Sequence, residues 1–237
     1  MTASEHQSLI QRALREAIKA LRANLVPGLL LQSLMALMAA AYLWNSTARH
    51  AFEVLAEIRS HWGLLFSFFG TSFASALLPE ALRLLLPQSI QKEIGPSLGA
   101  RLLFSIPLWG LVGMQVDLFY RLQYLLFGPS DCAAVIIKKV MVDAFIYCPT
   151  LAVPQVVCIL LWKDHGFTLH GFRDHTPVRF YALKIFPVLV ANWMVWIPLI
   201  CIIYSLPAAL GVPFFIVAQS FWVMVLTTLS TGFSKKS

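Results

Sequence analysis

The sequence predicts an all-α fold: a polytopic transmembrane helix bundle of about six spans, preceded by an amphipathic surface helix. Three observations carry this. Of the 237 residues 59% are hydrophobic and only 12% charged, well under the roughly 25% charged share of soluble domains. The mean hydropathy is +0.74, and a soluble core of this length would leave too few charges to cover its surface. Several apolar runs also reach the ~20 residues that a helix needs to cross ~30 Å of hydrocarbon.

The net charge of +7 is read as lysines and arginines gathered on one side of a membrane. No Gly-rich phosphate loop and no basic run interleaved with aromatics is present, so nucleic acid is excluded as a partner. The four cysteines, Cys132, Cys148, Cys158 and Cys201, show no C-x-x-C spacing and are expected to be small buried hydrophobes.

In chain order, residues 1–23 form the expected amphipathic helix. Thr2 to Glu5 has the form of a capping box. Leu9, Ile10, Leu14, Ala17, Ile18 and Leu21 recur at helical spacing, with Arg12, Arg15, Lys19 and Arg22 mostly off that stripe. This suits a helix lying on an anionic leaflet. No apolar h-region marks a cleaved signal peptide, and Glu5 and Glu16 argue against a mitochondrial targeting helix.

The first span is expected over 24–45, with Gln32 inside it and Tyr42 and Trp44 as an aromatic belt. The connector 46–62 carries Arg49, Glu53, Glu57 and Arg59 at a spacing suited to a short interfacial helix. Asn45, Ser46 and Thr47 match a glycosylation sequon, a weak three-residue signal. The second span, 63–86, is rich in small residues. Gly70 and Ala74, four apart, favour close approach of a neighbour, and Glu80 and Arg83 are expected to pair along the helix. The third, 102–127, contains Pro107, Gly110 and Gly113, then Asp117 and Arg121 in the favourable i,i+4 order.

The fourth span, 140–162, follows Lys138 and Lys139 and carries Asp143 at its head, the only charge between Lys139 and Lys163. A lone acid in hydrocarbon marks a functional site by default. The expected local partner is Lys139, one turn away; the other reading is a polar path for solutes between helices. Pro149 and Pro154, five apart, free backbone carbonyls that neighbouring helices must re-satisfy. The fifth span, 185–206, holds Asn192, and the sixth, 208–232, holds Gln219. Charge bias puts both termini on the inner side.

His165, His170 and His175 stand beside Asp164 and Asp174, but a five-residue spacing does not align ligands on one helix face, so no metal is expected. No cofactor is implied. No nucleophile elbow or Ser-His-Asp spacing is present, and no catalytic residue is assigned. The candidate polar-path or helix-pairing residues are Asp143, Lys139, Glu80, Arg83, Asp117, Arg121 and Asn192.

The ordered set Lys138, Lys139, Asp143 and Pro149 resembles a motif of the Mpv / twenty-two-kilodalton peroxisomal membrane protein family, with Ala144 where that family has a glutamine. Upstream, Gly113 and Tyr120 keep two positions of a Gly-Pro, His, Trp-Tyr series that is otherwise replaced, Asp117 and Phe119 standing at two of the others, and Glu80 stands roughly where a Gly-Asp is expected. Downstream, Phe186-Pro187 and Ile197-Pro198 keep prolines at matching separation, Asn192 is shifted by one, and Ile202 replaces an expected arginine. Trp222, Leu229 and Ser230 recur at stretched spacing. The resemblance covers about 75–232 and divides the chain into the amphipathic helix 1–23, a first span and connector 24–62, and a family-like membrane domain 63–237. It implies a divergent member with an N-terminal extension. The implied location is a mitochondrial inner or peroxisomal membrane, or a cytoplasmic membrane if the chain is bacterial, with both termini on the cytoplasmic or matrix side.

The leading functional expectation is a channel-like or permeability-modulating protein for small solutes. The alternatives are a non-conducting structural or assembly partner and an intramembrane enzyme, an enzyme being the least expected. The expected partners are the lipid bilayer and either a second copy or another membrane protein.

Overall fold

The computed structural model describes residues 11, 14–15, 17–19, 21–23, 25–84, 97–129, 132–169, 172, 176–205 and 208–234. The capping box at Thr2–Glu5, Lys92, and His170 and His175 lie outside the described residues. Among those described, every regular element is helical. In chain order they are α1 (Leu25–Trp44), α2 (Ser46–Trp62), α3 (Leu64–Ser72), a π-helical turn (Phe73–Leu77), α4 (Leu78–Leu84) and α5 (Leu98–Phe127). Then come α6 (Ala133–Val142), a second π-helical stretch (Asp143–Ala152), α7 (Val153–Asp164), α8 (Pro177–Phe180), a third π-helical turn (Tyr181–Ile185), α9 (Phe186–Ser205) and α10 (Ala208–Ser234). The described positions between 11 and 23 are helical as well.

Four continuous rods are long and apolar enough to cross a membrane: Leu64–Ala81, Leu98–Phe127, Ala133–Asp164 and Pro177–Ile203. Two shorter apolar stretches, Gln32–Trp44 and Phe214–Leu226, accompany them. Among the described residues the chain is therefore all-helical, with four helices whose length and composition are compatible with an integral membrane protein. Many large apolar side chains face outward, among them Leu37, Leu103, Leu125 and Ile146, as lipid-facing positions do when hydrocarbon replaces water.

Sequence chemistry sets the boundaries. Asn45 caps α2, its side-chain oxygen accepting the N–H of Ala48 at 3.0 Å. The apparent sequon residue thus serves as a helix cap. Arg49 donates back to the carbonyls of Tyr42 and Leu43 (3.2 and 3.1 Å) and lies over the Tyr42 ring, closing the C-terminus of α1. No residue of α2 is buried, which suits a helix lying along a surface. Gly63, at φ 53°, turns the chain from α2 into α3, a backbone region that side-chain-bearing residues rarely adopt.

The fourth rod departs from expectation. It begins at Ala133, so Asp143 does not head the helix; it opens the π-helical stretch inside it. Cys132 and Cys201 are exposed and Cys158 is half-buried, leaving Cys148 as the buried thiol. Cys132 lies at a bend ahead of α6, and Cys201 lies on an exposed face of α9.

The chain forms two compact units, each described by itself: Met1–Val26 with Ile136–Cys201 and Met224–Ser237, and Pro27–Val135 with Ile202–Val223. In the second, α3 to α4 packs antiparallel on α5. The contact depends on two glycines of α5. A Cβ on Gly110 would strike the Phe68 ring, and one on Gly113 would strike Thr71 and the Ser67 carbonyl. With hydrogen in both places the helices approach closely, and packing contacts replace the hydrophobic drive that lipid does not supply. The small-residue stripe at Gly70 and Ala74 faces α10 instead: a Cβ on Gly70 would lie 3.9 Å from Ile216 Cδ1, and Ser220 reaches the Ala74 carbonyl.

Candidate functional site

Three acids inside the apolar rods, Asp117, Glu80 and Asp143, are each engaged by side chains. On the α3–α5 contact, Asp117 is 6% exposed. Its Oδ2 accepts from Ser67 Oγ at 2.7 Å. Arg121, one turn on, donates from Nε to Oδ1 and from Nη2 to Oδ2, both at 3.3 Å. Arg59, from the end of α2, brings Nη2 to 3.7 Å of Oδ1. The helical pair legible in the sequence is present, and Ser67 and Arg59 complete it from two other elements.

At the opposite end of the same contact, Arg101 grips Glu80 with a two-pronged fork: Nε to Oε1 at 3.1 Å and Nη2 to Oε2 at 2.8 Å. The expected Glu80–Arg83 pair involves an Arg83 side chain outside the described residues. Arg101 comes from the next helix, 21 residues away, and its planar fork meets both carboxylate oxygens. Midway, Ser72 Oγ donates to the carbonyl of Ile106 at 2.8 Å. Three polar ties thus fix the antiparallel register.

In the first unit, Asp143 and Lys139 are both buried at 4% exposure and stand one turn apart on α6 and its π-helical continuation. Both are engaged by neighbours. Cys148 Sγ donates to Asp143 Oδ1 at 3.3 Å. Asn192, also buried, leaves its side-chain Oδ1 without a hydrogen-bond partner among the described residues, as does the Ser75 hydroxyl.

The π-helical stretches explain the prolines. In a π-helix each carbonyl accepts from the N–H five residues on; Leu78 N to Phe73 O and Val153 N to Cys148 O show that register. Proline has no N–H. Pro79, Pro149 and Pro154 therefore leave open the carbonyls five residues earlier, those of Ala74, Ala144 and Pro149. All three receive a side-chain donor from another helix. Ser220 Oγ donates to Ala74 O at 2.7 Å, Trp193 Nε1 to Ala144 O at 2.6 Å, and Tyr181 OH to Pro149 O at 2.8 Å. The Trp193 ring also packs on Phe145, with centroids 5.4 Å apart.

The proline spacing was legible in the sequence; the donors were not. Trp193, Tyr181 and Ser220 carry no local signal, because their role is set by the helix they face. No group of His, Cys, Asp and Glu suited to a metal occurs among the described residues. His165 Nδ1 lies 2.9 Å from the Leu161 carbonyl, a contact within its own helix end. Compared with family models, curated proteins and solved structures, the chain finds no match in any of the three.

Proposed function

We propose that this integral membrane protein is a non-conducting structural or assembly partner within a membrane, and not an enzyme. One observation carries the reading. The acids within the apolar rods, Glu80, Asp117 and Asp143, are each held by side chains of their own unit, as is Asp164 at the end of the fourth by Lys163, so their charge ties the chain together instead of lining a free polar surface. The outward apolar faces suit lipid and a membrane-protein partner, or a second copy. The proposal includes six spans, since α1 and α10 have 20 and 27 residues and ~20 suffice to cross. It includes an amphipathic N-terminal surface helix and both termini on the cytoplasmic or matrix side. The resemblance to the Mpv / twenty-two-kilodalton peroxisomal membrane protein family supports a mitochondrial inner or peroxisomal membrane, or the cytoplasmic membrane of a bacterium.

Reconstitution in liposomes tests it. The expected result is no conductance and no small-solute flux, together with a stable co-purifying membrane protein or a defined oligomer in native detergent extracts. Flux that Asp143→Asn abolishes would overturn the proposal in favour of a channel-like protein. That second reading has one observation in its favour: the first unit holds Lys139, Asp143 and Asn192 buried, and the Asn192 oxygen is an open acceptor among the described residues.

A further inference from the structure

The cluster around Asp117 has more positive charge than its own pairing uses. One carboxylate faces two guanidiniums, Arg121 at 3.3 Å and Arg59 at 3.7 Å. Asp117 is buried, while Arg59 and Arg121 are 43% and 55% exposed. Asp117 engages Nε and Nη2 of Arg121 and Nη2 of Arg59. The other guanidinium N–H groups meet no acceptor among the described residues. The carboxylate thus acts as an anchor that holds two forks side by side with donors to spare, and the three groups together carry one net positive charge. The nearest acid on α2, Glu57, stands 4.0 Å from His61 along its own helix.

The depth of the cluster identifies its ligand. α5 has 30 residues, about 45 Å at ~1.5 Å per residue, against ~30 Å of hydrocarbon. An upright α5 overhangs at each end, which places Arg121, in its last two turns, at the headgroup level. Arg59 and Trp62 close α2, and the apolar rod Leu64–Ala81 starts immediately after Gly63. Trp62 and Tyr124 are both exposed there, as residues of an aromatic belt are. Gly63 adds no side chain beside the site; its Cβ position lies 3.8 Å from Arg121 Nη2. The anion abundant at this depth is phosphate, and guanidinium forks match phosphate oxygens in geometry and charge.

We propose that Arg59 and Arg121, braced by Asp117 and Ser67, form a phosphate-binding site at the membrane surface that takes the headgroup phosphate of a phospholipid. The proposal depends on the membrane reading of the chain, which co-flotation with liposomes reports separately. The test uses the full chain purified in a neutral maltoside detergent. Thermal unfolding is followed while dihexanoyl phosphatidylglycerol, dihexanoyl phosphatidylcholine, dihexanoylglycerol or inorganic phosphate is added. Both phospholipids should raise Tm, phosphatidylglycerol more, and dihexanoylglycerol should not. Arg59→Gln should weaken apparent phospholipid affinity about ten-fold, the scale of one lost charge-assisted hydrogen bond. Arg59→Lys should recover only part of it, since the charge returns without the fork.

Arg59 is the variant of choice because the shorter bonds of Asp117 to Ser67 and Arg121 survive its removal. Stabilisation by inorganic phosphate equal to that by phospholipid would support the site and assign it to free phosphate. Equal effects of phosphatidylglycerol and dihexanoylglycerol, or unchanged phospholipid affinity in folded Arg59→Gln, would overturn the proposal.

Discussion

At Ala144 and Pro149 the backbone itself is the polar group in need of a partner. An open carbonyl in hydrocarbon is expensive, and the donors Trp193 and Tyr181 remove that expense from outside the helix. Trp193→Phe and Tyr181→Phe keep a ring and lose a donor. Each should lower stability by about 1–3 kcal/mol, the range for a buried acceptor left unsatisfied, measured by denaturation in mixed micelles. A Trp162→Phe control should change little, because Trp162 is exposed and touches Phe167 edge-on. At this scale the sequence was readable wherever partners are one turn apart. Asp117 and Arg121 were paired correctly, since four-residue spacing is a local fact. Arg101 as the partner of Glu80 was not readable: a contact 21 residues away depends on how the chain returns, which no local spacing encodes.

At the scale of elements, the α3–α5 contact joins two glycine clefts, one serine–carbonyl tie and two ionic clamps. Gly110→Leu should force the Phe68 ring aside and destabilise by about 1–3 kcal/mol, as overpacking does, whereas a change at Gly99, which faces open space, should be nearly neutral in packing. Both partners of the Glu80–Arg101 pair are mostly buried. Glu80→Ala alone should cost about 3–5 kcal/mol, while Glu80→Leu with Arg101→Leu should cost far less, because the second change removes the stranded charge. A double-mutant cycle on purified protein measures both. Four of the six apolar runs fall in helices long and apolar enough to cross a membrane, and the first and last in shorter apolar stretches, because composition alone marks an apolar rod. The fourth helix begins at Ala133, seven residues ahead of its expected start at 140. Lys138 and Lys139 looked like its edge, yet Lys139 is buried, and only the folded neighbourhood makes a buried lysine acceptable.

For the whole molecule, the six-span proposal makes a sided prediction. Cys132 is exposed in the short connection between α5 and α6 and should lie on the face opposite both termini. In a Cys148→Ala, Cys158→Ala, Cys201→Ala background, a membrane-impermeant maleimide should label Cys132 from one side of sealed vesicles. A cysteine introduced by Ser237→Cys should react from the other side. Labelling of both from the same side would exclude the three crossings that six spans place between Cys132 and Ser237, as it would any odd number. Fold class was legible at this scale because scarcity of charge is a global property of the chain. Function was not, because the same acids serve a pore or a clamp according to what faces them.

The proline-opened carbonyls also have a history within each molecule's synthesis. Tyr181 lies 32 residues after Pro149 and Trp193 lies 49 residues after Ala144. When the fourth rod first leaves the ribosome, its donors have not yet been made. Until they arrive the nascent helix must stay hydrated or lean on the insertion machinery. Chains truncated before residue 181 should integrate poorly, and release of this rod into lipid should wait for the next one.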